Sequence, residues 1–134
     1  MTIAHGAVRD QQLIERAREV IRRHYDKEKK HHTVGAALRC ASGHVYVGVN
    51  VHSLHGACAE LVAIGAAITA GEREFECVAC VRGADGEEIL PPCGNCRQLL
   101  HDYAPDCLVV VPTVDGWNTV RVADLLPFSY KVKE

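Results

Sequence analysis

The sequence predicts an α/β domain in which a β-sheet carries helices on both of its faces. Three observations lead to this prediction. Residues 10–25 have apolar side chains at helical spacing on one face, the later helical segment 58–71 is apolar along most of its length, and short β-branched runs lie between the helical segments. Because helices and strands alternate along the chain, layered packing around one core is favoured. A length of 134 residues, 48% of them hydrophobic, predicts a single domain over 1–134.

The first half of the chain predicts a helix, a β-hairpin and a second helix. The segment 10–25 begins at an aspartate suited to cap an amphipathic helix. The runs 34–40 and 44–51 are rich in β-branched residues and are expected to pair across a turn at 41–43. The segment 58–71 is almost wholly apolar, so it is expected to be a helix buried on most sides, with its final glycine as the C-cap.

The second half alternates strands with helices. Residues 75–81 form a short apolar run typical of a central strand, and 94–103 predict another buried helix. Residues 107–111 predict a buried strand, 118–122 an edge strand and 123–127 a short closing helix. The complete order is therefore α-β-β-α-β-α-β-β-α.

Charge and hydropathy narrow the classes of function. The net charge is −2, the pI is about 6.4 and no long basic run is present, which disfavours a nucleic-acid partner and favours a small molecule. No apolar stretch of about 18 residues predicts a membrane span, and the N-terminal residues lack the apolar core of a signal peptide. Seven cysteines, an odd number, then indicate a reducing, cytoplasmic setting and metal binding or chemistry in place of disulfides.

The segment 91–98, PPCGNCRQ, contains half of a metal site, and two upstream segments could complete it. In the first alternative, Cys77 and Cys80 join Cys93 and Cys96 in a closed, four-cysteine structural zinc site. However, Cys77 and Cys80 fall within a predicted strand, where residues three apart point to opposite faces. These two cysteines are therefore better interpreted as small core residues.

In the second alternative, Cys58 joins Cys93 and Cys96. Both cysteine clusters begin a predicted helix, and helix N-termini present free N–H groups that lower the pKa of a thiol. Three protein ligands leave one zinc coordination position open, which is typical of a catalytic site. Glu60, in the first helical turn, is placed to accept and return a proton, although simple charge complementarity with the helix N-terminus would also explain it.

These motifs resemble those of the zinc-dependent cytidine deaminase superfamily, whose signature joins a short Cys or His motif with Glu to a later Pro-Cys-x-x-Cys. The similar segments follow the same order over most of the chain: 34–38, 48–51, 58–60, 92–98 and 125–127. The resemblance implies a three-layer α-β-α sandwich with a central mixed five-stranded sheet. It also implies Zn²⁺ as the cofactor and a homotetrameric assembly.

Several positions depart from the typical cytidine deaminase pattern. Where that family has Asn-x-Glu-Asn to hold the ribose, this chain has Asn50-Val51-His52-Ser53. His32 occupies the place of an aromatic residue that stacks on the pyrimidine. Leu61 replaces an arginine that balances the thiolate charge, which leaves Arg97 as the nearest candidate for that role. The segments 58–62 and 125–130 are instead similar to a sister group, the blasticidin S deaminases.

The resemblance therefore implies hydrolytic deamination of a cytosine-type ring in a nucleoside or a nucleoside antibiotic, with release of ammonia. The alternatives are a cytidine or deoxycytidine deaminase of pyrimidine salvage and, in another class, a non-catalytic zinc-binding module. The implied roles are zinc binding by Cys58, Cys93 and Cys96, proton transfer by Glu60, charge compensation by Arg97, and substrate contacts by Asn50, His52, His32 and Tyr130.

Overall fold

The computed structural model describes residues 5–133, with side chains described from Val8 onward, so the outermost residues of the predicted domain lie outside this range. Its elements are α1 (His5–His24), β1 (Val34–Cys40), β2 (Val45–Val49), α2 (Ala59–Thr69), β3 (Phe75–Arg82), β4 (Glu88–Ile89), α3 (Gly94–Tyr103), β5 (Leu108–Thr113), β6 (Gly116–Arg121) and a closing 3₁₀ helix (Val122–Leu125). The predicted elements occur in the predicted order, and the structure adds the short strand β4 between β3 and α3.

The strands form one mixed sheet in the order β2-β1-β3-β5-β6. The pairs β1–β2, β1–β3 and β5–β6 are antiparallel, and β3–β5 is parallel. The five strands along this path are those that the sequence predicted. The additional two-residue strand β4 pairs with the end of β3, beyond the residues of β3 that pair with β5. Because β4 is so short, it has no hydrophobic periodicity by which a sequence pattern could predict it.

Helices cover both faces of the sheet, as predicted. On one face, α1 buries Leu13, Ile14 and Ile21 against sheet residues such as Ala37 and Cys77. Successive residues of a strand point to opposite sides of the sheet. On the other face, α2 and α3 therefore pack against the strand residues that alternate with those beneath α1. That second core contains Ala36, Leu38, Ala63, Ile64, Val78 and Leu100. The fold is therefore a three-layer α-β-α sandwich.

Two local predictions need correction. Helix α1 begins before Asp10, so Asp10 is not its N-cap. Its carboxylate is instead buried and pairs with the guanidinium of Arg39 on β1 at 3.0 Å, which gives it a tertiary role. Helices α2 and α3 are both less enclosed than predicted. Leu61, Gly65 and Ala66 of α2 face outward from this chain, and the fully buried residues of α3 are Cys96 and Leu100.

The predicted glycine at the end of α2 lies one position beyond the cap, since Ala70 and not Gly71 is the C-cap residue. Gly71 follows it with a φ of +99°, a left-handed conformation that glycine adopts without steric cost. Within residues 5–133, no helix combines the length and the hydropathy that crossing a bilayer requires.

We expect Asp10→Ala to lower the free energy of unfolding by about 3 kcal/mol, because it removes one of the two carboxylates that neutralise a buried arginine. Urea unfolding followed by circular dichroism measures the change. The matched control is Glu15→Ala on the same helix. Its carboxylate is half exposed and pairs with Arg18, so the expected loss is about 0–1 kcal/mol. Equal losses in the two variants would contradict the importance of the buried pair.

Candidate active site

Three cysteine sulfurs meet where α2 and α3 begin. Cys58 is the N-cap residue of α2, Cys93 is the N-cap residue of α3, and Cys96 lies in the first turn of α3. The three Sγ atoms all lie within 4.8 Å of one another, and those of Cys58 and Cys93 are 3.8 Å apart. We call these three residues the cysteine triad.

The triad fits a zinc ion. Tetrahedral zinc with Zn–S bonds of about 2.3 Å separates its sulfur ligands by roughly 3.8 Å, which is the spacing of the Cys58 and Cys93 sulfurs. Three thiolates are also a soft donor set of the kind that zinc accepts. Within the described part of the chain, the triad is the one group of three or more Cys, His, Asp or Glu side chains whose ligand atoms lie close enough together to hold a metal ion.

Burial makes two of the three thiols resist ionisation. It raises the pKa of Cys58, and it raises the pKa of Cys96 far above the ordinary range, with the neighbouring Glu60 carboxylate adding to the effect. Burial also opposes ionisation of Cys93, but the backbone N–H of Cys96 and the thiol of Cys58 outweigh it and lower the pKa of Cys93. A bound dication is therefore what would stabilise three thiolates together, and its binding should release protons.

Glu60 lies beside the triad in the first turn of α2 and is only 5% exposed. Burial raises the pKa of its carboxyl, and its own backbone N–H and the thiols of Cys80 and Cys96 partly offset the shift. A buried carboxyl with a raised pKa is suited to exchange protons near neutral pH. The sequence placed Glu60 in the first helical turn, and the structure adds the burial that tunes it.

Strand β3 separates the two remaining candidate cysteines. Cys77 packs in the core beneath α1, whereas Cys80 lines the same cavity as Glu60 on the opposite face. The prediction that they point to opposite faces is confirmed. Cys80 was predicted only as a core residue, although it also lies in the site. The alternation of side chains along β3 places Cys80 on the face that carries α2 and the site. That face can be assigned only once the order of strands in the sheet is known.

A cavity of about 420 Å³ opens beside the triad, with Cys58, Cys93 and Glu60 in its wall. Asn50 and His52, predicted as substrate contacts, also line it. The side-chain oxygen of Asn50 accepts hydrogen bonds from the backbone N–H groups of Thr33 and Val34 at 2.8 and 3.0 Å, so its NH₂ group is the part left for a ligand. Sequence reasoning missed Leu90 as a lining residue, because β4 and its pairing with β3 bring it there.

The structure does not bring His32 and Tyr130 into the cavity wall of this chain. The Nδ1 atom of His32 lies 2.8 Å from the carbonyl oxygen of Asn50, so the ring supports the residue that does line the cavity. Tyr130 is 73% exposed, and its backbone carbonyl oxygen accepts a hydrogen bond from the side-chain amide of Gln98.

Arg97 follows Cys96 directly, but its guanidinium is held by backbone groups. It donates to the carbonyl oxygens of Pro92 at 2.8 Å and Leu125 at 3.1 Å. These bonds tie the start of α3 to the segment before Cys93 and to the closing 3₁₀ helix. Compensation of thiolate charge by Arg97 stays a prediction.

Comparison with known proteins places the chain in a class. The family model for the cytidine and deoxycytidylate deaminase zinc-binding region matches residues 7–111, so the chain belongs to this family. It is accordingly a zinc-dependent enzyme that hydrolyses C–N bonds in cyclic amidines. The resemblance inferred from the motifs is confirmed.

Individual relatives cover most of the chain. It is 35% identical to the blasticidin-S deaminase of Bacillus cereus over 90% of this chain and 91% of that protein. It is 34% identical to the cytidine deaminase of Halalkalibacterium halodurans over 75% of this chain and 79% of that one. The crystal structure of a mutant cytidine deaminase from Mycobacterium tuberculosis superposes with a TM-score of 0.77 at 28% identity, covering 91% of this chain and 94% of that chain.

The zinc content of cysteine variants tests the identity of the ligands. We expect Cys58→Ser, Cys93→Ser and Cys96→Ser to lose zinc after dialysis against a weak chelator, because two thiolates hold the ion less firmly than three. The controls Cys77→Ala and Cys80→Ala should keep about one zinc per chain, measured by plasma mass spectrometry. Zinc loss in the two controls together with retention in Cys58→Ser would instead support the closed four-cysteine site.

Proposed function

We propose that this enzyme deaminates a cytosine-type ring by hydrolysis, in a nucleoside or a nucleoside antibiotic, and releases ammonia. The observation that carries the proposal is the buried carboxyl of Glu60, which lies beside the cysteine triad in the wall of one cavity. The relatives support the substrate class, since those compared above are a blasticidin-S deaminase and cytidine deaminases.

Each residue has a proposed role in the reaction. Cys58, Cys93 and Cys96 would hold zinc, which when bound supplies a Lewis acid that makes water nucleophilic at neutral pH. Glu60 accepts a proton from the attacking water and delivers protons to the ring nitrogen and to the departing amino group. The raised pKa of Glu60 favours this shuttling, because a carboxyl that ionises closer to neutral pH both takes and returns protons readily.

We propose that Asn50 and His52 contact the part of the substrate attached to the ring. His32 would act on the same contact by holding the backbone of Asn50. Tyr130, exposed in the single chain, would close the pocket within an assembly.

A blasticidin S-type substrate is favoured over plain cytidine for two reasons. The cavity-lining loop has His52 where typical cytidine deaminases hold the ribose with glutamate. The match to the blasticidin-S deaminase also extends over more of the chain than the match to the cytidine deaminase. Cytidine or deoxycytidine salvage remains the alternative, and the solved cytidine deaminase structures favour it through their shared fold.

We further propose that residues 1–134 form a single domain and that four copies of the chain assemble into a homotetramer. The exposed apolar surface of α2 at Leu61, Gly65 and Ala66 supports it, because small residues there permit close packing of a second copy. Sedimentation velocity of the zinc-loaded protein measures the assembly, and a monomer at micromolar concentration would contradict it.

A cytoplasmic location is proposed from the seven unpaired cysteines. Cell fractionation tests this location. The acidic net charge supports the absence of a nucleic-acid partner. Filter binding to single-stranded RNA and DNA tests that absence directly.

Glu60→Gln tests the proposed chemistry. We expect kcat to fall by about 10²–10⁴-fold, because the amide cannot take up the proton, while zinc content stays unchanged. Ammonia release is measured with blasticidin S, cytidine, deoxycytidine and cytosine. The control Glu74→Gln changes an exposed carboxylate and should leave kcat near the wild-type value. Near-normal turnover by Glu60→Gln would eliminate the proposed role.

Arg97→Gln tests charge compensation. Three thiolates on one dication leave a net charge of −1, so removal of a neighbouring cation should weaken zinc retention or lower kcat. Zinc affinity is measured by competition with a chromophoric chelator. Weaker zinc binding by Arg97→Gln than by the control Arg73→Gln would support the role. Unchanged zinc affinity and kcat would show that the N-termini of α2 and α3 suffice.

A further inference from the structure

The loop 50–57 between β2 and α2 lines the cavity and is closed at its base. Each of its residues takes part in the lining. Val51 and Ala57 exchange N–H···O bonds of 2.8 and 3.0 Å across the base. Gly56 lies so close to this base that a Cβ there would overlap the carbonyl oxygen of Val51. Because residues 51–56 are exposed in this chain, contacts from outside the loop decide how it is oriented relative to the sheet.

The segment 26–32, in the connection from α1 to β1, supplies such contacts. We call it the brace segment. The backbone N–H of His52 donates to the carbonyl oxygen of His31 at 3.3 Å, and the two imidazole rings stack with centroids 5.7 Å apart and planes 18° from parallel. The Nδ1 atom of His32 lies 2.8 Å from the carbonyl oxygen of Asn50. The brace segment therefore holds the loop on both sides of Val51.

Asp26 fixes the shape of the brace segment. Its carboxylate accepts hydrogen bonds from the backbone N–H groups of Lys29 at 3.0 Å and His31 at 3.2 Å, and these bonds lower the pKa of the carboxyl. Its own N–H donates to the carbonyl oxygen of His32 at 2.9 Å, and its carbonyl oxygen accepts from the N–H of Lys30 at 3.0 Å. Lys30 has a φ of +59°, a left-handed conformation that a lysine keeps only where surrounding bonds compensate for its cost.

The groups of the proposed chemistry are anchored separately. Glu60 and the cysteine triad lie at the start of α2 and α3, which pack on the sheet. The paired bonds between Val51 and Ala57 lie between the contact at His52 and the first triad residue, Cys58. A shift of the loop at His52 can therefore alter ligand binding without moving the triad.

We propose that Asp26 and His31 are positioning residues for substrate binding. Asp26 orders the brace segment, and His31 holds His52 and the loop 50–57 in the arrangement that receives the part of the substrate attached to the ring. The inference rests on the proposed function, which assigns Asn50 and His52 to that part of the substrate. Neither Asp26 nor His31 lines the cavity. Contacts far from the reacting atoms act equally on the bound substrate and on the transition state, so their loss should raise KM and leave kcat nearly unchanged.

Variants of His31 test the stacked contact. We expect His31→Ala to raise KM by about three- to ten-fold and to change kcat by less than about two-fold, because an aromatic pair of this kind contributes that much to holding His52. His31→Phe keeps a planar ring and should restore KM to within about two-fold of the wild-type value. Kinetics are measured as ammonia release from the cytosine compound that the wild-type enzyme turns over best. The control is His44→Ala, at an exposed histidine of the β1–β2 turn.

Variants of Asp26 test the order of the brace segment. Asp26→Ala should raise KM in the same way as His31→Ala, whereas Glu28→Ala, which removes an exposed carboxylate of the same segment, should leave KM unchanged. Because both residues act through one contact, the double variant Asp26→Ala/His31→Ala should raise KM little more than either single change. Effects that multiply in the double variant would contradict a shared path through His52.

Hydrogen exchange measures the position of the loop without any substrate. In zinc-loaded protein, we expect amides of the loop 50–57 to exchange faster in His31→Ala and Asp26→Ala, and at the wild-type rate in His31→Phe. Zinc content and the exchange of α2 and α3 should not change. Zinc loss or faster exchange throughout α2 and α3 would show general destabilisation and overturn the proposal. A fall in kcat that His31→Phe does not restore would also overturn it.

The two readouts separate this inference from the proposed function. Faster loop exchange in the variants, with no ammonia released by the wild-type enzyme from any cytosine compound, would refute the deaminase and keep the positioning of the loop. Ammonia release with the same KM in the wild-type, His31→Ala and Asp26→Ala proteins would refute the positioning role and keep the deaminase.

Discussion

The convergence of two helix N-termini on one group of thiols is the constraint on which the site depends. Cys58 and Cys93 occupy the N-caps of α2 and α3, and Cys96 lies within the next turn. Because burial raises the pKa of Cys58 and Cys96, these thiols have little tendency to ionise without a cation. Zinc binding, thiolate formation and the relative placement of the two helices are therefore linked, and metal affinity should contribute directly to the stability of this face of the sandwich.

This linkage also sets the electrostatics of the reaction. Three thiolates outweigh the charge of a dication, and Glu60 adds a further carboxyl to the same enclosed space. Burial raises the pKa of that carboxyl, so it holds a proton more readily than an exposed glutamate does. Positive potential near the triad comes from the N-termini of α2 and α3, and Arg97, whose guanidinium donates to two carbonyl oxygens, would add to it in the proposed role.

In the proposed reaction, the catalytic groups and the substrate-contacting groups belong to different parts of the cavity. The triad and Glu60 lie at the start of helices that pack directly on the sheet, whereas the loop 50–57 is a closed segment outside the regular elements. The loop can therefore change its side chains without disturbing the core. The chain is similar to both a blasticidin-S deaminase and a cytidine deaminase over most of its length, and His52, which departs from the typical cytidine deaminase pattern, lies in this loop.

The sequence by itself determined the main elements, the triad and Glu60, because hydrophobic periodicity and motif spacing are local properties of the chain. It also distinguished Cys77 from Cys80, since strand parity alone sends them to opposite faces. Only the tertiary structure decided that Cys80 lies beside Glu60, that Asp10 pairs with Arg39 instead of capping α1, and that β4 carries Leu90 to the cavity. Each of these contacts joins segments that are far apart in the sequence. Such contacts are fixed by packing in the folded sheet, which local patterns in the chain do not specify.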